Sequence, residues 1–325
     1  MGNELPYSTK FFRYCPRLNY NILMGFSMTI ESISEKLGFK KDDKLVIIHI
    51  DDMGFSHSSN IGSFKCLDFG VATCGSVIVP SAWFLETASI CRSNPHYDVG
   101  VHLTLTCEYE TYRWRALSSV DPETGLLDHE MCLWRTTEEA LANVTPEAAE
   151  KEMRAQIQTA LDQGIDVTHI DTHMGTVIYP KFIQSYIQLA QEFKIPAFIP
   201  RLTREEMISM GFGEYADLFL SFLPVLEESG LPLLDHIIID TGGEQNNKTD
   251  YYCKIFAEIK PGLTHLLFHP AQMSSELEAI TKDSAVWRNQ DFEVFTSPAI
   301  KQCVDKFQLK LIGYRQLRDL IRKNH

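Results

Sequence analysis

The sequence lacks the features that mark membrane, nucleic-acid-binding and nucleotide-binding proteins. No apolar run in its 325 residues approaches the roughly 20 residues that cross a bilayer, so we expect no membrane-spanning helix. Positive charge is scarce, because 30 Lys and Arg face 43 Asp and Glu, and the net charge of −13 argues against a nucleic-acid partner. Neither GxGxxG nor GxxxxGK[ST] occurs, so the sequence has neither of the motifs that usually indicate a dinucleotide-binding site or a P-loop.

Cysteine is present eight times but never as a CxxC pair, and the spacing is irregular. Scattered cysteines in a chain of this size are typical of reduced, mostly buried thiols. We therefore expect a cytoplasmic protein without a zinc finger or a redox motif.

Residues 1–43 precede the first strong strand pattern. Their first 27 positions carry three basic residues and a single acid, so a targeting sequence is one interpretation. We favour a loosely ordered N-terminal extension over 1–43, followed by one large domain over 44–325.

Short β-branched runs alternate with helical patterns along the rest of the chain. The runs cover 44–50, 70–79, 99–106, 166–171, 197–200, 236–240, 263–269 and 309–313. The helical patterns cover 145–164, 181–193, 216–228, 250–259, 298–306 and 314–323. This alternation predicts parallel strands in an α/β fold. Seven or eight such units indicate a distorted (β/α) barrel, with an open doubly wound sheet as the alternative.

Polar residues stand where the predicted strands end, which is where α/β proteins place their sites. They are Asp51, Asp52, His102, His173 and His269. Since the carboxyl ends of parallel strands share one edge of the sheet, we expect these five side chains to converge.

Adjacent residues that leave a strand point in different directions, so one of Asp51 and Asp52 is expected to bind a metal and the other to act as a base. The motif His169-Ile-Asp171-Thr-His173 places three polar side chains on one strand face. On an extended strand His169 and His173 are roughly 13 Å apart. Bonds from a metal to nitrogen are only about 2.0–2.1 Å, so the two cannot share an ion. We predict His173 as the ligand, Asp171 as a residue that orients the site, and His169 as hydrogen-bonded inside the barrel.

Together these residues supply one carboxylate and two imidazoles for a divalent metal, a second carboxylate and a third imidazole. Asp51 would take a proton from water. His269, fixed before Pro270, would protonate a departing amine. The set therefore suits the hydrolysis of an amide.

In order and spacing the chain resembles the YdjC-like carbohydrate deacetylases, distant relatives of the polysaccharide deacetylases. The matching segments are HIDDMGFSHSSN at 49–60, DVGVHLTLT at 98–106, MRAQIQTALDQGIDVTHIDTH at 153–173, KPGLTHLLFHPA at 260–271 and WRNQD at 287–291. The similarity extends over about residues 44–322, nearly all of the chain. It implies a distorted (β/α) barrel, one Mg²⁺ or Zn²⁺ ion, and a small N-acetylated carbohydrate as the substrate.

The resemblance also implies roles for single residues. The family's metal ligands match Asp52, His102 and His173, its base matches Asp51, and a histidine of its active site matches His269. Arg201 matches an arginine that steadies the base, and Arg288 belongs to a segment that resembles a late Arg-x-x-Asp signature. Together with Asp171 and Trp114, which the strand spacing and the aromatic residues after the His102 strand suggest, they are expected to orient the site or to contact substrate. Many members carry a histidine-rich run where this chain has Met174-Gly175-Thr176-Val177, so the pocket wall differs and the sugar stays open.

The stretch 107–143 fits neither the strand nor the helix pattern, and we expect a long loop over one end of the barrel that acts as a lid. Its aromatic residues Tyr109, Tyr112 and Trp114 would either stack on a sugar ring or pack the loop.

Two other functions fit parts of the pattern. A metal-dependent phosphoester hydrolase usually holds two metals about 3.5–4 Å apart, and the sequence offers too few further ligands for that. A non-catalytic sugar-binding protein on the same fold would be marked by the loss of Asp51 or His269, and both are present. A homodimer stays open as the oligomeric state.

Overall fold

The structure is a computed structural model that describes residues 32–239 and 242–323. The chain divides into two units, Met1–Ser32 and Ile33–His325, and all the elements described belong to the second. Most of the predicted extension, residues 1–31, lies outside the described residues. Its described end packs on the domain, because Ile33, Leu37 and Phe39 contact a buried cluster that includes Leu45. The domain boundary at residue 44 stays a prediction.

Seven parallel strands form the centre of the domain. They are β1 (Lys44–Met53), β2 (Cys74–Val77), β3 (Val99–Leu103), β4 (Val167–Thr172), β5 (His236–Ile238), β6 (Gly262–Phe268) and β7 (Lys310–Leu311). Their order is β4-β3-β2-β1-β6-β5, and β7 pairs with β1. Every residue of β1 after Lys44 is buried, as expected for an aliphatic strand covered on both faces.

Helices connect the strands and cover the sheet. They are α1 (Ile33–Lys36), α2 (His57–Phe69), α3 (Phe84–Ser93), α4 (Thr137–Asn143), α5 (Pro146–Asp162), α6 (Ile183–Phe193), α7 (Arg204–Ser209), α8 (Ala216–Glu228), α9 (Lys248–Glu258), α10 (Ser275–Ile280), α11 (Ala285–Phe295), α12 (Pro298–Lys306) and α13 (Tyr314–Lys323). Among the helices of the described ranges, none combines the length and the apolar character of a membrane span.

The predicted α/β class is confirmed, and the sheet departs from a regular barrel between its edge strands β4 and β5. There the segment 196–201 makes only single parallel bridges, from Ala197 to Ile170 and from Pro200 to Leu234. The run 197–200 is therefore a bridging segment and not the strand that its composition predicts. Proline lacks the backbone N–H that a regular ladder needs, and the segment has a proline at both ends. The seven strands consequently do not close into a ring.

The predicted loop 107–143 is irregular except for a short 3₁₀ turn at Pro122–Thr124 and for its last residues, Thr137–Asn143, which form α4 and were not predicted to be helical. It ends in α4, which starts with a capping box between Thr136 and Glu139. Two buried polar residues of α5 hold this loop: Gln156 exchanges two hydrogen bonds with the Thr104 backbone, and Glu152 accepts from backbone N–H groups at 117 and 118.

The cysteines differ from the prediction at two positions. Cys253 of α9 and Cys303 of α12 form a disulfide, so the expectation of reduced thiols is wrong for this pair. The reason is tertiary: packing of the two helices brings the Cα atoms to 5.7 Å across a sequence separation of 50 residues. The free and buried cysteines are Cys66, Cys74, Cys91, Cys107 and Cys132. Cys15 lies outside the described residues.

Candidate active site

The carboxyl ends of β1, β3, β4 and β6 bring the predicted polar side chains into one cluster. Asp51 and Asp52 lie near the end of β1, and His102 lies near the end of β3. His173 opens a 3₁₀ turn directly after β4, and His269 follows the last residue of β6. Because these strands are close neighbours in the sheet, residues far apart in sequence meet at one edge.

Asp52, His102 and His173 form a group that could hold a metal ion. Their ligand atoms all lie within 4.8 Å of one another, and all three residues are buried. Asp52 Oδ1 is 3.4 Å from both His102 Nε2 and His173 Nδ1. This oxygen is buried and has no hydrogen-bond partner among the described residues. An unpartnered carboxylate oxygen that faces two imidazole nitrogens fits a divalent cation.

The other carboxylate oxygen of Asp52 is held by Arg288, whose Nη2 donates to Oδ2 at 2.9 Å. Burial opposes the charge on Asp52, but Arg288 and the two imidazoles outweigh it and hold the pKa of this carboxyl well below its usual value. The backbone of Asp52 has a φ of 62°, a left-handed conformation that Asp and Asn tolerate better than most residues. Strain of this kind is concentrated at functional sites.

Each of the two histidines is oriented by a carboxylate on its other ring nitrogen. Asp171 Oδ1 lies 3.0 Å from His102 Nδ1, and Glu108 Oε2 lies 3.0 Å from His173 Nε2. Since an ionised carboxylate can only accept, the facing nitrogens carry the protons and the opposite nitrogens are turned to Asp52. In the absence of a cation, these carboxylates outweigh burial and raise the pKa of His102 well above its usual value and that of His173 to about 9.

Asp51 lies outside this group and has different partners. Its Oδ1 accepts a hydrogen bond from His49 Nδ1 at 2.7 Å. Its Oδ2 is 3.9 Å from His269 Nε2. His49 Nε2 is in turn 2.7 Å from His169 Nε2, inside the barrel. One oxygen of Asp51 is therefore fixed by a buried histidine pair, and the other faces His269.

Two further trios of acidic and histidine residues also converge, and both include Asp171. Their ligand atoms are already hydrogen-bonded: His49 to Asp51 and His169, and His102 to Asp171. Among these three trios of described residues, the one formed by Asp52, His102 and His173 contains an unpartnered buried oxygen, so it is the trio that best fits a cation.

His269 is the least enclosed residue of the cluster, with 20% of its side chain exposed. Desolvation nevertheless lowers the pKa of His269 to about 4, so the imidazole is neutral near neutral pH. Its backbone N–H donates to Asp291 at 3.3 Å, and its ring packs edge-on against Trp287. The Nδ1 atom is buried and has no hydrogen-bond partner among the described residues.

Of the residues expected around the metal or substrate, Asp171 and Arg288 lie beside the cluster and Arg201 does not. The Arg201 side chain is 42% exposed and pairs with Asp235 at 2.7 Å and Glu227 at 3.2 Å. In the described part of the chain it forms no ion pair with Asp51. The bond that holds Asp51 comes from His49 instead.

Trp114 is buried against the cluster. Its Nε1 donates to the Thr106 carbonyl at 3.0 Å, and its ring lies 6.1 Å from that of His173. Tyr109 and Tyr112 pack against it. The Trp114 contacts favour packing of the loop, and not stacking on a sugar ring, as the role of these aromatic residues.

Sequence reasoning missed His49, Glu108 and Ser76. His49 is the first residue of the matched HIDDMGFSHSSN segment, two positions before Asp51 on the same strand face, and this spacing is a signal that could have identified it. Ser76 donates to Asp171 at 2.8 Å, and Glu108 follows β3 in the irregular loop. Neither has a local pattern, since both reach the cluster through tertiary structure.

Known proteins resemble this chain over most of its length. The sequence model of a family described as YdjC-like protein matches residues 45–306. A carbohydrate deacetylase of Thermus thermophilus is 30% identical over 274 residues, which cover 81% of this chain and 90% of that protein. A carbohydrate deacetylase of Brevibacillus brevis is 24% identical over 286 residues, covering 84% of this chain and 99% of that protein.

A solved structure has the same fold. A proposed cellobiose-phosphate cleavage protein of Enterococcus faecalis superposes with a TM-score of 0.70 at 22% identity, covering 85% of this chain and 99% of that chain.

Proposed function

Since this chain belongs to the YdjC-like protein family, we propose that it is a metal-dependent carbohydrate N-deacetylase. It would remove the acetyl group from an N-acetylated amino sugar or a short oligosaccharide and release acetate. The observation that carries the proposal is the unpartnered Asp52 oxygen between His102 and His173, next to the separate pair of Asp51 and His269. The names of the similar carbohydrate deacetylases support the reaction class.

Asp52, His102 and His173 would hold one divalent cation. When bound, the cation supplies Lewis-acid polarisation of the amide carbonyl and lowers the pKa of water. Two imidazoles and one carboxylate suit zinc, while the family resemblance favours magnesium, so both ions belong in any test.

Asp51 is the general base of the proposed reaction. His49 fixes its Oδ1 at 2.7 Å, which leaves Oδ2 to take a proton from the water that attacks the carbonyl carbon. His269 is neutral at the start, so it can donate only after it has received a proton. Its Nε2 is 3.9 Å from Asp51 Oδ2, which is longer than a hydrogen bond, so the proton would pass from Asp51 to His269 through one bridging water. As the C–N bond breaks, that proton goes to the departing nitrogen, and the products are an amine and acetate.

The test is the release of acetate from N-acetylglucosamine oligomers, with added Mg²⁺ or Zn²⁺ and with EDTA. Asp51→Asn keeps the shape of the side chain and removes the base, and we expect it to lower kcat by about 10²–10⁴-fold. Asp283→Asn is the matched control, because this aspartate is exposed and outside the cluster. Acetate release that persists in EDTA, or that survives Asp51→Asn, would contradict the proposal.

A further inference from the structure

A cavity of ≈ 330 Å³ lies directly against Asp51 and His269. Its wall is built from the turn after His173 and from residues of α6, α7 and α8 and their connections. Its apolar lining residues include Ile178, Ile183, Met207, Met210, Phe212 and Phe219. A cavity of this volume falls within the range of about 300–1,000 Å³ that is usual for small-molecule sites.

The wall offers little to a sugar ring. Besides Asp51 and His269, its polar side chains are Thr172 and three tyrosines, and the hydroxyl of Tyr186 is already used in a bond to the Ile170 carbonyl at 2.9 Å. Sugar hydroxyls that entered would lose water without gaining partners, at a cost of about 1–3 kcal/mol each. The cavity therefore selects an apolar group.

The position of the cavity identifies which apolar group of an amide would enter. Asp51 and His269 line the same cavity as the apolar side chains. The acyl chain, which is bonded to the reacting carbonyl carbon, can enter this cavity directly while the sugar ring stays outside it. An apolar group attached to the opposite side of the sugar could reach the cavity only if the sugar ring and its hydroxyls entered the cavity as well. Glu108 does not line the cavity and is 31% exposed beside His173, so the cluster also has a polar approach for the sugar.

We propose that the cavity binds the N-acyl chain of the substrate and that the enzyme prefers a linear fatty acyl group to acetyl. The inference rests on the proposed function and specifies the acyl group for the same site. Water adds to the carbonyl carbon, the C–N bond breaks, the nitrogen takes up the proton, and the products are an amino sugar and a fatty carboxylate. A single acetyl methyl would leave most of the cavity unfilled.

The test is a series of N-acylglucosamines with acetyl, butanoyl, hexanoyl and octanoyl chains, with glucosamine release measured by its primary amine. Each methylene buried from water contributes about 0.8 kcal/mol, or about fourfold. Because burial is partial, we expect kcat/KM to rise about twofold per methylene, or roughly 60-fold over the six methylenes between acetyl and octanoyl.

A second readout does not depend on activity. Calorimetry with the EDTA-treated protein should show binding of N-octanoylglucosamine with a negative heat-capacity change, the sign of buried apolar surface. N-Acetylglucosamine should show no such change. The octyl glycoside of N-acetylglucosamine carries the same alkyl chain on the opposite side of the sugar and separates the two orientations.

Leu218 is on α8 and lines the cavity, so Leu218→Trp should narrow it. Leu220→Trp is the control, because Leu220 is on the same helix but does not line the cavity. We expect Leu218→Trp to lower the ratio of kcat/KM for the octanoyl substrate to kcat/KM for the acetyl substrate by at least about tenfold, and Leu220→Trp to keep that ratio.

The outcomes separate the two proposals. Equal or faster hydrolysis of the acetyl substrate overturns the acyl-chain inference and leaves the deacetylase intact. A preference for the octyl glycoside over the octanoyl amide also overturns it. No amine from any substrate, with metal bound, overturns the proposed function together with the inference.

Discussion

At the scale of single residues, the end of β1 separates two carboxylates that are adjacent in sequence. Asp52 turns to Arg288 and the two histidines, and Asp51 turns to His49. The left-handed backbone at Asp52, with its φ of 62°, accompanies this divergence. Because the partners differ, substitutions at the two positions should have different consequences.

Asp51→Asn and Asp52→Asn form a matched pair that separates base from ligand. Asparagine preserves shape at both positions and tolerates the left-handed backbone of position 52. We expect Asp51→Asn to bind the cation normally and Asp52→Asn to bind it at least about tenfold more weakly. Titration of bound metal by atomic absorption after dialysis measures this. Equal loss of metal in both variants would show that Asp51 is also a ligand.

His49 is a positioning residue that acts through Asp51. His49→Phe removes the 2.7 Å hydrogen bond to Oδ1, and we expect kcat to fall by about 10–100-fold with little change in KM. His265→Phe is the control: His265 is equally buried and packs against His49, but it bonds to Tyr314. If both variants lose kcat to the same extent, the effect of His49 is packing and not orientation.

At the scale of elements, the irregular loop after β3 is held over the cluster by α5. Glu152 is fully buried and accepts N–H bonds from Leu117 and Ser118 at 2.8–3.0 Å, and Gln156 donates to it at 2.8 Å. Within this loop Glu108 and Trp114 touch His173. The position of the loop therefore affects His173, one of the three residues proposed to hold the cation.

Glu152→Ala leaves buried backbone N–H groups without partners, and we expect a loss of about 1–3 kcal/mol in the free energy of unfolding. The loop should also be cleaved faster in limited proteolysis. Glu150→Ala, on the same helix, removes only the exposed pair with Arg154 and should change stability by less than about 0.5 kcal/mol. Urea denaturation of both variants is the measurement, and equal losses would mean that Glu152 does not anchor the loop.

The elements that could be predicted from sequence are those that bury an apolar stripe. The strand pattern at 44–50 and the helix that begins at Pro146 carry such stripes, and both are found. Helix α2 was missed because its buried face consists largely of small polar residues, and a Cβ on Gly62 would lie only 2.8 Å from Ala271 Cα. Helix α11 was missed because it buries the charged residues Arg288 and Asp291, whose partners come from elsewhere in the chain.

The residues of the site divide in the same way, into those that a local sequence pattern predicts and those that depend on tertiary contacts. The polar residues at strand ends could be predicted, because the end of a parallel strand has a fixed place in the sheet. Arg201 was expected near Asp51 but lies with Glu227 and Asp235, on the bridging segment whose course depends on its two prolines. Glu108 comes from the irregular loop, where sequence patterns do not fix direction.

At the scale of the whole molecule, buried neutral histidines make stability depend on pH. Burial first, and then the neighbouring His49, lower the pKa of His169 and of His265 well below the usual 6.5. Both are neutral in the folded protein, whereas the unfolded chain binds protons on them below about pH 6.5. This contribution to stability is complete above pH 6.5 and is lost as the pH falls.

We therefore expect His169 and His265 each to lower the free energy of unfolding by about 1.4 kcal/mol between pH 7.5 and 5.5, against a contribution of opposite sign from His102 and His173, whose pKa values are raised. His265→Phe should make the drop in the free energy of unfolding smaller by about 1.4 kcal/mol, which is the contribution of one histidine. Urea denaturation at the two pH values, on wild type and variant, measures the difference. An identical pH dependence in both would mean that His265 is protonated in the folded state.

The central claim is that one cation on Asp52, His102 and His173 enables amide hydrolysis by Asp51. The most direct measurement is add-back of Zn²⁺ or Mg²⁺ to the EDTA-treated protein, with bound metal and amine release from an N-acylglucosamine followed in the same samples. The account predicts that activity rises in proportion to bound metal, saturates near one ion per chain, and stays at least about 100-fold lower in Asp51→Asn at full metal occupancy. Activity in the metal-free protein, or saturation only at two ions per chain, would contradict it.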